Sequence, residues 1–261
     1  MPKKKADLAD VKALLKTVYD LRAPGGCPWD RAQTHQTLRP YITEEAHEVI
    51  DVIDLIDSAA ALKIPSIKSA FQEELGDLLM QVVLHSELTR EAGAFDFYDV
   101  VRTLNEKLIR RHPHVFGDVK VNSADTALQS WEKQKAKEKA SNPSASVLDG
   151  LPKGLPALQK TARVIEKVTK VGFQWSDLNG PLGKLDEEFA ELKHEVRALE
   201  ACSEKSGPKF ETLKHQVESE LGDVLFSVCN VAYLMKINHE DALRGTLARF
   251  QSRFQYVERK L

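Results

Sequence analysis

Carboxylate side chains at helical spacing are the first feature of the sequence that could perform chemistry. Glu44, Glu45 and Glu48 lie in one stretch, and Glu74 and Asp77 lie in a second. Acidic residues three or four positions apart share one face of a helix. Several carboxylates on two facing helices repel one another unless a cation lies between them. The expected ligand is therefore a hard divalent cation that prefers oxygen, such as Mg²⁺.

The same acidic pattern occurs again in the second half of the chain. The repeated set comprises Glu187, Glu188, Glu191, Glu220 and Asp223, and in both copies Leu-Gly separates the last two acids. One copy alone is common on the solvated face of an amphipathic helix. Two copies with the same internal spacing are hard to explain as surface, so we predict a metal site in each half.

Basic residues follow each acidic set at comparable distances. They are spaced four residues apart, as Lys107 and Arg111 and as Arg249 and Arg253. Because Mg²⁺ is usually held by carboxylates together with substrate phosphates, these cations are expected to bind phosphate. The residues next to the first member of each pair, Leu108 and Phe250, are predicted core positions. Lys184, one turn before Glu188, is a further phosphate-binding candidate.

A carboxylate-bridged iron site is the rival metal chemistry, since helical bundles that bind two irons use Glu-x-x-His pairs. Two such pairs occur here, ending at His47 and His194. They fall at different places in the two repeats, and Ala190 is the counterpart of His47. Because only the carboxylates agree between the copies, oxygen-only coordination is favoured.

The composition excludes several other classes of protein. The chain has 261 residues, 42% of them hydrophobic, and a formal net charge of −2. That balance predicts no general affinity for nucleic acid polymers or acidic membranes. The three cysteines lack metal-ligand spacing, and their odd number argues against a disulfide framework. Without an apolar run long enough for a membrane span, we expect a cytoplasmic protein.

Helical periodicity runs through the whole chain, and no window alternates as a strand would. The predicted helices cover residues 7–22, 41–62, 67–91, 97–111, 125–139, 155–169, 181–202, 209–236 and 240–259, with Thr43 and Asn238 as candidate N-caps. We predict an all-α fold of two tandem helical bundles related as an internal repeat. The expected domains are 1–140 and 154–261, joined by a linker at 141–153.

Three further motifs, together with the repeated acids, resemble the MazG family of all-α nucleoside triphosphate pyrophosphohydrolases. They are Gly26-Cys-Pro-Trp-Asp30, Arg110-Arg-His-Pro-His-Val-Phe116 and Val171-Gly-Phe-Gln-Trp175. The resemblance covers nearly the whole chain. It implies a homodimer that hydrolyses nucleoside triphosphates to monophosphate and pyrophosphate with Mg²⁺, or with Mn²⁺ in its place, and that maintains the nucleotide pool.

The resemblance also implies a role for each matching residue. The metal ligands would be Glu45, Glu48, Glu74 and Asp77 in the first half and Glu188, Glu191, Glu220 and Asp223 in the second. Glu44 and Glu187 are the candidate general bases. Asn105 joins the phosphate-binding residues of the first half, whereas the second half has Leu247 in its place. The family favours catalysis by the C-terminal half, and a non-catalytic regulatory dimer that binds metal and nucleotide is the alternative.

Overall fold

The computed structural model describes residues 9–139 and 146–260. The chain divides into two compact units, Met1–Ser141 and Asn142–Leu261. Residues 141–145 of the predicted linker lie outside the described residues. In the part of the chain that the structure describes, all regular elements are helices, which confirms the all-α prediction.

The first unit has seven α-helices within the described residues. They are α1 (Val11–Arg22), α2 (Pro28–Ala32), α3 (His35–Ile53), α4 (Pro65–Glu91), α5 (Phe97–Arg111), α6 (Pro113–Phe116) and α7 (Ala124–Lys139), with a 3₁₀ turn at Ala61–Lys63. Helices α3 and α4 pack side by side and form the main helix pair of the unit. The core lies between α1, α3 and α4, where Val18, Leu38, Val83 and Leu84 are buried together.

The second unit contains α8 (Ala157–Thr169), α9 (Asn179–Glu200), α10 (Pro208–Leu234) and α11 (His239–Glu258). Helices α9 and α10 form its main pair, and α8 packs against α10. Ile165 and Cys229 are fully buried at that contact region. The predicted N-cap of the last helix is confirmed, because the Asn238 side chain accepts hydrogen bonds from the next turn.

The start of α3 differs from the prediction of a helix over 41–62 capped by Thr43. The helix begins six residues earlier, because Thr34 and Thr37 form a reciprocal capping box. Pro40 therefore lies inside the helix instead of marking its start. The helix also ends at Ile53, and a turn and the 3₁₀ segment replace its predicted last part. Likewise, the predicted break after Arg111 contains the short helix α6.

Two predicted core positions are not buried within their own unit. Leu108 on α5 is 41% exposed and Phe250 on α11 is 64% exposed. Helix α5 packs only on α4, α6 and α7 among the described elements, and α11 only on α8 and α10. The apolar stripes of these two helices are longer than the surfaces that the neighbouring helices offer, so part of each stripe faces outward.

Arg22 of α1 contacts α4, α2 and Gln33, the residue after α2, in the first unit. Its buried guanidinium donates two hydrogen bonds to Glu91, of 2.9 and 2.8 Å. It also donates to the carbonyl oxygens of Asp30 and Gln33. The cation thereby fixes α2, which carries Trp29, against α1 and α4.

Replacing Arg22 with Met is expected to destabilise the first unit by about 2–4 kcal/mol, because Glu91 loses both hydrogen bonds from the guanidinium and the carbonyl groups of Asp30 and Gln33 each lose a donor. Urea denaturation measures this effect. Lys16→Ala, which breaks an exposed ion pair with Asp20, is the control and should cost less than about 1 kcal/mol. A loss for Arg22→Met as small as that of the control would contradict the role assigned to Arg22.

Candidate active site

The first acidic cluster lies between α3 and α4. Glu45 and Glu48 come from α3 and Glu74 from α4, and one carboxylate oxygen of each lies within 4.8 Å of the others. Asp77, one turn after Glu74, is outside this tightest set, although its charge acts on Glu45. Three of the four predicted ligands of the first half thus meet between the two helices, and the fourth, Asp77, lies close enough for its charge to act on Glu45.

The second acidic cluster lies between α9 and α10 and is built from the corresponding elements. Glu188, Glu220 and Asp223 bring one oxygen each to within 4.8 Å of the others. Glu191 is the member outside this set, but the charges of Glu188 and Glu220 act on it. Glu188 is buried, and the ammonium group of Lys184 lies 2.7 Å from its carboxylate.

Both clusters hold negative charge that is not fully compensated. Burial, followed by the charges of Asp77 and Glu48, raises the pKa of Glu45 above its ordinary value. Burial and the neighbouring acids also raise the pKa of Glu74 and the pKa of Glu191. A divalent cation with oxygen ligands fits this arrangement, because it would offset the repulsion between carboxylates from two helices.

Lys184 provides a cation in the second cluster. Its ammonium group lies 2.8 Å from Glu187 and 2.7 Å from Glu188. The hydrogen bond to Glu187, and then that to Glu188, raises the pKa of Lys184. The predicted phosphate-binding lysine, the predicted base and a predicted metal ligand therefore contact one another directly.

The other predicted phosphate-binding residues have no described contact with the acidic clusters. Arg111 pairs with Glu138 of α7 at 2.6 Å and lies over the Trp131 ring. Asn105 and Lys107 have no described partner, and Arg253 is exposed without one. Arg249 donates a hydrogen bond to Thr246 on its own helix. Glu44, the predicted base of the first half, is exposed beside Glu45.

The histidines of the Glu-x-x-His pairs do not join either cluster. The imidazole of His47 bonds to the carbonyl oxygen of Thr43 on its own helix. His194 is largely exposed and approaches Glu195 at 4.0 Å. Among the described residues, both groups that could hold a metal consist of carboxylates only. This geometry agrees with oxygen-only coordination and gives no support to an iron site.

Gln81 is a site residue that the sequence did not single out. It is buried one turn after Asp77, and its side-chain amide donates to Glu45 at 3.4 Å. Its side-chain oxygen is buried without a partner. The available signal was its place on the same face of α4 as the acids, four residues after Asp77.

The thermal unfolding midpoint of the metal-free chain is expected to fall as the pH rises above about 4.5. Glu45, Glu74 and Glu191 have folded-state pKa values above the ordinary 4.5, so the folded state keeps protons that the unfolded state has lost. Their contribution is complete below pH 4.5 and disappears as the pH passes through the raised values. Midpoints measured in a chelator across this window test the direction.

Glu138 is expected to contribute to stability with the opposite dependence on pH. The hydrogen bond from Arg111, and then that from Arg110, lowers the pKa of Glu138 to about 2, so its contribution is lost only as the pH falls below 4.5. Glu74→Gln combined with Glu191→Gln should flatten the slope above pH 4.5. A midpoint that rises with pH in that window would contradict the charge repulsion inferred for the clusters.

Comparison with known proteins places the two clusters in a family. The model of the MazG nucleotide pyrophosphohydrolase domain matches residues 33–116 and again residues 182–257. The chain is 40% identical over 245 residues to the nucleoside triphosphate pyrophosphohydrolase/pyrophosphatase MazG of Thermotoga maritima, across 94% of this chain and 84% of that protein. It is 36% identical over 250 residues to the nucleoside triphosphate pyrophosphohydrolase of Escherichia coli K12, across 95% and 87%.

A third relative is the uncharacterized protein YabN of Bacillus subtilis, 42% identical over 241 residues. The match covers 92% of this chain but 45% of YabN. Each of the two segments matched by the family model contains one acidic cluster, and together they span more than half of the chain. The chain therefore belongs to the MazG family, whose domain it carries twice.

Proposed function

We propose that this protein hydrolyses nucleoside triphosphates to the monophosphate and pyrophosphate, with Mg²⁺ held by an acidic cluster. The observation that carries the proposal is the convergence of carboxylates from two helices, present twice in a chain of this family. Two relatives that align along most of their length bear the name nucleoside triphosphate pyrophosphohydrolase. Mn²⁺, which also accepts oxygen ligands, is expected to replace Mg²⁺.

The acidic cluster would hold the cation in the second unit through Glu188, Glu220 and Asp223, with Glu191 beside them. When bound, Mg²⁺ supplies a Lewis acid for phosphate oxygens and lowers the pKa of water that it coordinates. Lys184, 2.7 Å from Glu188, is the group we assign to pair with a phosphate oxygen. Glu187 is exposed at the edge of the cluster and is the group we assign to accept a proton from the attacking water.

A pyrophosphate-release assay tests this function directly. We expect pyrophosphate and a nucleoside monophosphate in equal amounts, only when a divalent cation is present. Orthophosphate together with a nucleoside diphosphate would contradict the proposed position of attack. Metal-dependent stabilisation without turnover of any nucleoside triphosphate would favour the alternative, a regulatory dimer that binds metal and nucleotide. The expected compartment is the cytoplasm, where nucleoside triphosphates are available.

A homodimer is the assembly we propose. The exposed apolar residues of α11 follow a heptad-like spacing of four and three, at Leu243, Leu247, Phe250, Phe254 and Val257. This stripe lies on one side of the helix, and α5 carries a similar one at Val101, Leu104 and Leu108. Contiguous apolar stripes at such spacing are typical of helix–helix interfaces.

Replacing Phe250 and Phe254 together with Glu is expected to convert the dimer to monomers in size-exclusion chromatography with light scattering. Two carboxylates on the stripe would have to lose their hydration at the interface. Gln251→Glu combined with Gln255→Glu adds the same charge beside the stripe and should leave the dimer intact. Dimers that persist in the phenylalanine variant would exclude this helix from the interface.

A further inference from the structure

We propose that a cavity beside the second acidic cluster binds the nucleobase of the substrate and selects bases that carry a keto oxygen. The inference rests on the proposed function and adds the determinant of base specificity to it. The cavity has a volume of about 380 Å³ and lies between α8, α10 and the loop that precedes α9. That volume is within the range of small-ligand sites, and aromatic and amide side chains line it.

Three aromatic side chains form the walls. Phe173 and Trp175 come from the loop before α9, and Phe226 comes from α10. A Cβ atom at Gly180 would lie 2.0 Å from an indole carbon of Trp175, so this ring rests directly on the first turn of α9. Trp175 is nevertheless 42% exposed. The ring is thus held in place by α9, and its exposed face is available to stack on a nucleobase.

The polar groups of the cavity are oriented by the backbone. The N–H of Trp175 donates to the side-chain oxygen of Gln174 at 2.9 Å, and this bond fixes the orientation of that amide. The Gln174 amide nitrogen must then be the donor to Asn230 Oδ1, at 3.2 Å. Asn230 Nδ2 consequently points away from Gln174.

Asn230 Nδ2 has no hydrogen-bond partner among the described residues. Asn230 is only 7% exposed, and it lines the cavity. Because no described protein group accepts from this amide where Asn230 lines the cavity, a ligand acceptor there gains a hydrogen bond without displacing a protein partner. The group that completes this site is therefore an acceptor, such as the keto oxygen of hypoxanthine, guanine or uracil, in preference to an exocyclic amino group.

The cavity and the acidic cluster share one face of α10. Asn230 follows Asp223 by seven residues, which is two turns, or about 10 Å along the axis. Phe226 lies between them, one turn after Asp223. A ribose and its α-phosphate bridge such a separation. A base stacked on Trp175 thus places the phosphate chain at the carboxylates.

The first unit does not repeat this cavity chemistry. When the Gly-x-x-Trp and Glu-Leu-Gly-Asp motifs of the two halves are aligned, Pro28 stands at the position of Gln174 and Leu84 at that of Asn230. Leu84 belongs to the buried core of the first unit. The amide pair of Gln174 and Asn230, which orients the Asn230 donor, therefore occurs in the second unit and has no counterpart at the aligned positions of the first.

The test compares inosine triphosphate with adenosine triphosphate, which differ at C6 by a keto oxygen in place of an amino group. The wild-type chain is expected to prefer inosine triphosphate in kcat/KM, mainly through KM. Asn230→Leu introduces the residue that the first unit has at the aligned position, Leu84. It should reduce the preference for inosine triphosphate by about tenfold, which is the effect of one hydrogen bond to a base. Inhibition by inorganic tripolyphosphate, which has no base, should remain unchanged.

Trp175→Leu should raise KM for both nucleotides, and Trp29→Leu, the matched change in the first unit, should not. An unaltered preference in an Asn230→Leu protein with a wild-type unfolding midpoint would overturn the inference, as would equal use of both nucleotides by the wild type. If the wild type turns over neither, the proposed function fails by itself. Calorimetry then decides the inference: tighter binding of inosine triphosphate that Asn230→Leu abolishes supports it, and equal binding overturns it.

Discussion

Replacing Glu188 and Glu191 together with Gln is expected to reduce pyrophosphate release by more than 100-fold. Gln keeps the size of each side chain but removes the charge that holds a divalent cation in the second cluster. Changes to groups that only support metal ligands cost roughly 10–100-fold, and loss of the ligands themselves should cost more. The measurement is the initial rate with saturating Mg²⁺ and nucleotide.

The matched variant is Glu45→Gln with Glu48→Gln, which makes the same change in the first cluster. We expect this protein to retain activity within a few-fold of the wild type. In the described residues, the cation of Lys184 and the aromatic cavity accompany the second cluster, whereas Tyr41 stands at the place of Lys184 in the first repeat. Loss of turnover in the first-cluster variant, with turnover kept in the second, would reverse this assignment.

The same two double variants also show how each acidic cluster affects the stability of the folded chain. Each pair of substitutions removes like charges from between two packed helices. The unfolding midpoint without metal should therefore rise in the first-cluster variant, since less repulsion opposes the folded state, whereas loss of the Lys184–Glu188 ion pair offsets part of this gain in the second-cluster variant. An activity loss accompanied by a higher midpoint cannot be attributed to unfolding.

The acidic clusters could be predicted from the sequence because their geometry is local. Glu45 and Glu48 are one turn apart on one helix, and Glu74 and Asp77 are one turn apart on the next, so helical periodicity alone brings each pair to one face. The duplication then supplied the evidence that the pairs act together. Only the packing of the two helices against each other is tertiary structure, and two long amphipathic helices that follow one another in the chain commonly pack as a hairpin.

The determinants that sequence reasoning missed depend on residues far apart in the chain. Asn230 is oriented by Gln174, 56 residues before it, and Gln81 contacts Glu45, 36 residues before it. Arg111 illustrates the same difficulty, because its partner Glu138 lies 27 residues later on α7. Periodicity cannot show which of several possible partners a long side chain will find.

The exposure of Leu108 and Phe250 has a different cause. Their spacing correctly identified the apolar face of each helix, but the core prediction assumed that the unit itself covers that face. A pattern of apolar residues predicts that a helix face is buried, but it does not identify the surface that covers that face. A second copy of the chain satisfies the same pattern, which is why the stripe supports the dimer proposal.

Mg²⁺ at about 100 times its dissociation constant is expected to raise the unfolding midpoint of the wild-type chain by about 10 °C. Binding to the folded state alone contributes about 2.7 kcal/mol per site at that concentration, and each kcal/mol shifts the midpoint of a domain of about 100–150 residues by roughly 4 °C. The carboxylates with raised pKa values, Glu45, Glu74 and Glu191, gain most when a cation offsets their repulsion.

Differential scanning calorimetry with and without Mg²⁺ measures this shift, and equal ionic strength from NaCl separates site binding from screening. Since the two units each hold one cluster, Glu188→Gln with Glu191→Gln should leave only the response of the first unit. Glu45→Gln with Glu48→Gln should leave only that of the second. A shift that NaCl reproduces in full, or that survives with all four glutamates replaced, would show that the clusters respond to general screening and hold no cation of their own.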